Sequence, residues 1–90
     1  MLVPFYTNQF KKDVKKIKKS GKSDIQKLTD ITEKLINEKK LEPKHKDHIL
    51  TGNYKNHREC HIEPDWLLIY RIIGKEIFFI RTGSHPELFG

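Results

Sequence analysis

Residues Trp66 to Ile73 read Trp-Leu-Leu-Ile-Tyr-Arg-Ile-Ile, apolar at nearly every position and rich in branched and aromatic side chains. Side chains of a strand alternate between its two faces, so a segment apolar at both parities must be covered on both. This segment therefore belongs in the middle of a sheet, with helices on one side and further side chains or a partner on the other. Its first part, Trp66 to Tyr70, is also the longest uncharged apolar run of the chain. That is far short of the ~20 residues that span a bilayer. The amino terminus lacks the apolar stretch of a signal peptide. A cytoplasmic protein without a membrane segment is the expectation.

The rest of the chain supplies what such a strand needs. Arg58 to Ile62 alternates, Pro64-Asp65 turns, Gly74-Lys75 turns again and Ile77 to Thr82 is apolar, which gives a three-stranded antiparallel meander. Upstream, Leu2 to Tyr6 is a short apolar strand whose Pro4 suits an edge. Thr7 or Asn8 caps a helix to about Ser20, with Phe10, Val14 and Ile17 on one stripe and Gly21 at its end. Ser23 and Gln26 form a capping-box pattern ahead of a second helix to about Lys40, with Ile25, Leu28, Ile31, Leu35 and Ile36 in helical period. From Leu41 to Asn56 no period survives, and a connection this long in a small domain is often functional. The order strand, two-helix hairpin, three strands defines an α+β fold. Ninety residues with 36% hydrophobic content and nine aromatics support one core, so residues 1–90 read as a single domain.

The net charge of +6 is unevenly spread. Residues 1–50 hold 13 lysines against 7 acids, while residues 51–90 are balanced. The excess is as local as residues 11–22, where seven lysines, among them Lys11, Lys12, Lys15, Lys16, Lys18 and Lys19, meet one acid, Asp13. Such a field attracts a polyanion. A solvated face that serves solubility is the competing explanation. The lone Cys60 can form no intramolecular disulfide or paired-thiol metal site, and it fits a small core position.

All five histidines, His45, His48, His57, His61 and His85, lie outside the lysine-rich helices. Histidine exchanges a proton near neutral pH, with an unperturbed pKa of about 6.5. His45-x-x-His48 and His57-x-x-x-His61 raise a metal site, but no cysteine or glutamate pair completes a tetrahedral set, and none is expected. Ser84-His85 and Cys60-His61 are adjacent pairs whose side chains point apart, and neither makes a nucleophile–base couple. What remains is His48, His61, Asp65, Arg81 and His85, with Lys46 and Trp66 close in sequence. These residue types suit RNA cleavage by the 2′-hydroxyl, which needs a base, an acid and positive charge on the phosphate. Trp66 and Phe89 offer surfaces on which splayed bases stack; core packing is the alternative for Trp66.

Lys46-Asp47-His48, Arg58-Glu59-Cys60-His61, Glu63-Pro64-Asp65-Trp66-Leu67-Leu68-Ile69-Tyr70 and Arg81-Thr82-Gly83-Ser84-His85-Pro86-Glu87-Leu88-Phe89 together resemble the YafQ type of RelE-superfamily toxin. The likeness runs in order from about residue 46 to the end. It implies two helices against a small, mostly antiparallel sheet, as the residue pattern does. It also implies a bacterial type II toxin that cleaves mRNA in the ribosomal A site without a cofactor and is neutralised in a hetero-oligomeric complex by a cognate antitoxin.

By position, the resemblance implies His85 as proton donor to the leaving oxygen, with His48, His61 and Asp65 as the other acid, base or orienting groups. Arg81 would hold the scissile phosphate, Trp66 and Phe89 would border the nucleotide with Lys46 nearby, and Glu59 would be a supporting carboxylate of lower rank. The chain departs from the pattern at His57, where an aromatic commonly precedes the arginine, and at Ile49, where a proline commonly follows the Lys-Asp-His triplet. The lysine-rich helix would dock on small-subunit ribosomal RNA. Outside the resemblance, the readings left are a non-catalytic basic nucleic-acid-binding module and a corepressor that acts with its antitoxin.

Overall fold

The computed structural model describes residues 1–90. Its strands are β1 (Val3–Tyr6), β2 (His48–Ile49), β3 (Arg58–Glu63), β4 (Trp66–Ile73) and β5 (Glu76–Gly83). Its helices are α1 (Asn8–Ser20), α2 (Ile25–Ile36) and α3 (His85–Phe89), and short 3-10 turns cover Pro43–His45 and Gly52–Tyr54. The strands form one sheet in the order β1-β5-β4-β3-β2, with β1 parallel to β5 and the other pairs antiparallel. The meander and the central position of β4 are as the apolar pattern indicates.

Both faces of β4 are covered. Trp66, Leu68 and Tyr70 pack with Phe10 of α1 and Leu28, Ile31 and Leu35 of α2, together with Cys60, Ile77 and Phe79 from the flanking strands. Leu67 and Ile69 point the other way and lie under Leu88 of α3. Side chains such as Leu68, Ile69 and Phe79 are fully buried, each worth about 1.5–3 kcal/mol relative to exposure. Burial pushes the Cys60 thiol up to about 12, so it is an inert core group.

The ends of α1 follow the sequence: the Thr7 side chain accepts from the Phe10 amide, and Gly21 closes the helix at a φ of 65°. The second helix departs from it. Asp24, not Ser23, is the cap, its carboxylate accepting from the Gln26 amide, and the helix stops at Ile36, short of Lys40. Lys39 and Lys40 sit beyond the last apolar side chain of the stripe, where no packing offsets the entropy cost of helical order.

Two elements go beyond what the sequence pattern predicts. His48–Ile49 is a strand too short to show a period, and His85–Phe89 is a one-turn helix behind a full capping box, in which the Ser84 hydroxyl accepts from the Glu87 amide and Glu87 accepts from the Ser84 amide. The β5 edge beyond β1 is finished by α1 instead of a strand. The Thr7 hydroxyl donates to the Ile80 carbonyl at 2.8 Å, and the Thr82 amide donates to Asp13 at 3.2 Å.

Candidate active site on the open face of the sheet

Strict alternation along β5 would put Arg81 on the helix-covered face with Ile77 and Phe79. A β-bulge prevents this: Phe79 pairs with Tyr70 and Arg81 with Ile69, leaving Ile80 as the extra residue. Arg81 is thereby turned onto the face that carries Ile69, and Thr82 onto the face that carries Trp66. Register then builds two rows across this face, which lies opposite α1 and α2 and is capped over Leu67 and Ile69 by Leu88 of α3. One runs His48–Glu59–Ile69–Arg81, and the next runs His61–Leu67–Gly83. Glu59 and Arg81 are two strands apart, about 10 Å between backbones.

Glu59 is the buried centre of the first row. Its side chain is 8% exposed and faces two imidazoles, His61 Nε2 at 3.4 Å and His48 Nε2 at 4.0 Å. Both rings are oriented by backbone carbonyls: His48 Nδ1 donates to Lys46 at 2.6 Å and His61 Nδ1 to Pro64 at 3.3 Å. With Nδ1 donating to a carbonyl, each ring turns its Nε2 toward the Glu59 carboxylate, which favours a proton at that nitrogen. The His48 segment is held from behind, where Asp47 accepts from the Tyr70 hydroxyl at 2.6 Å and from Arg58 at 3.3 Å.

At the other end of the rows, Gly83 leads through the Ser84 cap into His85, the first residue of α3. A side chain at Gly83 would begin 3.3 Å from a Glu87 carboxylate oxygen, so the close approach of α3 favours glycine there. The exposed His85 ring lies 4.9 Å from Phe89, which meets the edge of Tyr54 at 5.7 Å. Glu87 also accepts from Lys16 of α1 at 2.8 Å; this lysine, with the Ser84 bonds, holds the Glu87 carboxyl down at about 2. Arg81 is gripped by Asp13 through two bonds of 3.1 and 3.0 Å, which raise the pKa of the guanidinium and keep it charged.

The sequence-derived candidates therefore divide. His48, His61, Arg81, His85 and Phe89 come to one face, and Glu59 joins them as the group both imidazoles share. Asp65 lies exposed in the turn between β3 and β4, directly after Pro64, whose carbonyl orients His61, and on the groove that Lys16, Ser84 and Glu87 also line. Trp66 offers little face for stacking: it is 5% exposed in the helix-side core, and its indole N–H donates to Thr82 at 2.9 Å. An aromatic at an even-register position of a doubly covered strand is core material. Lys46 is exposed with φ 46° and contributes its carbonyl to His48, while its residue lines the groove with Asp47, Arg58 and Tyr70 on the far side of the sheet.

The remaining histidines do other work. His45 is buried and donates to the His61 carbonyl at 2.6 Å, and His57 packs against the edge of Tyr54. Lys11, Lys12, Lys15, Lys16, Lys18 and Lys19 lie along α1, and Lys16 alone of them is paired. Two contributors escape the sequence pattern. Asp13 carries a signal, since it stands beside Val14 and between Phe10 and Ile17 on the buried stripe of a lysine helix; Tyr54, in an aperiodic loop, carries none.

Residues 3–90 match the family model described as the bacterial toxin of type II toxin-antitoxin systems, YafQ. The mRNA interferase toxin YafQ of Escherichia coli K12 is 45% identical over 86 residues, covering 94% of this chain and 92% of that protein. The crystal structure of YafQ from E. coli BL21(DE3) superposes with a TM-score of 0.94 at 41% identity over the full length of both chains. YafQ in the E. coli DinJ-YafQ toxin-antitoxin complex does so with a TM-score of 0.91 at 42% identity, covering 99% of this chain and 98% of that one. With the fold, the order of motifs and the whole length in agreement, the chain belongs to the YafQ family of type II toxin-antitoxin toxins.

Proposed function

We propose that this chain is an mRNA endoribonuclease that works on the ribosome and is silenced by a cognate antitoxin, as its E. coli relatives are an mRNA interferase and the toxin half of a DinJ complex. The observation that carries the reading is the pair of imidazoles turned toward Glu59 at one end of a row that ends in Arg81, with His85 on the helix beside it.

The chemistry follows from that arrangement. His48 or His61 takes the proton of the 2′-hydroxyl, whose oxygen attacks the adjacent phosphorus. The bond from phosphorus to the 5′-oxygen breaks, and His85 protonates that oxygen. Arg81 offsets charge on the phosphoryl oxygens as they pass through the phosphorane. Glu59 stabilises the imidazolium formed at the base. No step requires a metal ion. Asp65, in the turn next to the Pro64 carbonyl that holds His61, would serve at the edge of the site. Phe89 offers an apolar surface, 39% exposed, next to His85 on which a base can stack.

Inducing the chain alone in bacteria and mapping mRNA ends tests the reading. Growth arrest with cuts in translated frames, both relieved by the co-expressed antitoxin, is expected. Arrest without new mRNA ends would leave a binding protein and overturn it.

A further inference from the structure

Asp13 is the only acid on a helix segment crowded with lysines, yet its side chain is 8% exposed and pairs with none of them. Each carboxylate oxygen accepts twice. Oδ1 takes Arg81 Nη2 at 3.0 Å and Gln9 Nε2 at 3.1 Å; Oδ2 takes Arg81 Nε at 3.1 Å and the Thr82 amide at 3.2 Å. A carboxylate has about four lone-pair sites, so this one is filled. Three of its four donors come from one short stretch of β5, directly after the bulge that turns Arg81 outward.

We infer that Asp13 is the positioning residue for Arg81, fixing the guanidinium on the open face before RNA arrives. The inference rests on the reading of Arg81 as the phosphate-binding group. A guanidinium has five N–H donors in a rigid fork. The Asp13 clamp uses Nε and one donor of Nη2, which leaves the Nη1 edge for phosphoryl oxygens. A free arginine would have to lose its rotamer freedom on binding; here the fold has already removed it. The same carboxylate ties β5 to α1 through Thr82, so the orientation is set by two elements and not by one flexible stem. Electrostatic assistance of this kind is effective because it is organised before charge develops.

The test is a double-mutant cycle read by single-turnover cleavage on preassembled ribosomal complexes, with Asp13→Asn, Arg81→Ala and the double variant. Arg81→Ala is expected to lower the cleavage rate by about 10²–10³-fold. Asp13→Asn, which keeps the size and one acceptor, is expected to lower it by roughly tenfold, with ribosome affinity nearly unchanged. The double variant is expected to cut no more slowly than Arg81→Ala alone, because the effect of Asp13 on the cleavage rate passes through that side chain. Full multiplication of the two losses would make Asp13 a structural residue and overturn the inference. If Arg81→Ala cuts like wild type, the reading of Arg81 fails instead. A measurement on the unmodified protein covers the case in which Asp13→Asn does not fold: the Arg81 Nε–H proton is expected to exchange with water much more slowly than that of Arg71. Equal exchange would overturn the inference.

Discussion

His85 stands exposed at the first position of α3, where removing its imidazole empties no core. His85→Gln is therefore expected to lower cleavage by about 10²–10⁴-fold while thermal unfolding and antitoxin binding stay as in wild type; a variant that still arrests growth would remove it as the proton donor. Trp66 separates the two meanings an aromatic can have. Trp66→Phe deletes the donor to Thr82, a buried partner whose loss costs about 1–3 kcal/mol, so its effect should appear in urea unfolding and not in KM for the ribosomal complex. A raised KM with unchanged stability would restore the stacking role. At this scale the sequence is most legible where alternation decides. Arg58-Glu59-Cys60-His61 puts Glu59 and His61 on one face and Cys60 on the other, and the structure does the same. It is least legible where one side chain's meaning depends on a distant element, as with Asp13 and Arg81, 68 residues apart.

The elements that build the site are the ones with least periodicity. β2 is two residues long, α3 is one turn, and the Ile80 bulge is invisible in an apolar run that reads as continuous strand. Each is fixed by pairing or capping, not by a stripe: His48 by the register with Glu59, α3 by the Ser84 box, the bulge by α1 bonding to the β5 edge. The long strands and α1, whose patterns carry burial, are legible nearly to the residue. The seating of α3 has its own pH dependence. Glu87 is depressed to about 2 from an ordinary value near 4.5, so its ionised form favours the folded protein above about pH 4.5, and that contribution drains away as pH falls toward 2. Lys16→Gln removes the first cause of the shift. Its unfolding midpoint is expected to lie below that of wild type at pH 6, with the gap closing as pH falls toward about 2. A gap that widens on acidification would contradict the role given to the pair.

Across the whole molecule, charge and chemistry occupy different surfaces of one small fold. Lysines line α1, while the His48, His61 and His85 imidazoles sit on the opposite face, and Asp13–Arg81 and Lys16–Glu87 join the two. Replacing Lys12, Lys15, Lys18 and Lys19 with Gln, sparing the paired Lys16, is expected to weaken ribosome association. The slope of log affinity against log salt should fall by roughly one unit for each phosphate that these lysines neutralise in the wild type, with cleavage unchanged once complexes are saturated. An unaltered slope would make these lysines a solubility face. The central claim is attack by the 2′-hydroxyl under histidine general acid–base catalysis, and the product ends report on it most directly. In a single-turnover reaction of the purified chain with preassembled ribosomal complexes, the upstream fragment is expected to end in a 2′,3′-cyclic phosphate and the downstream fragment to begin with a 5′-hydroxyl. A 3′-hydroxyl facing a 5′-phosphate would mean that water was the nucleophile, and would contradict it.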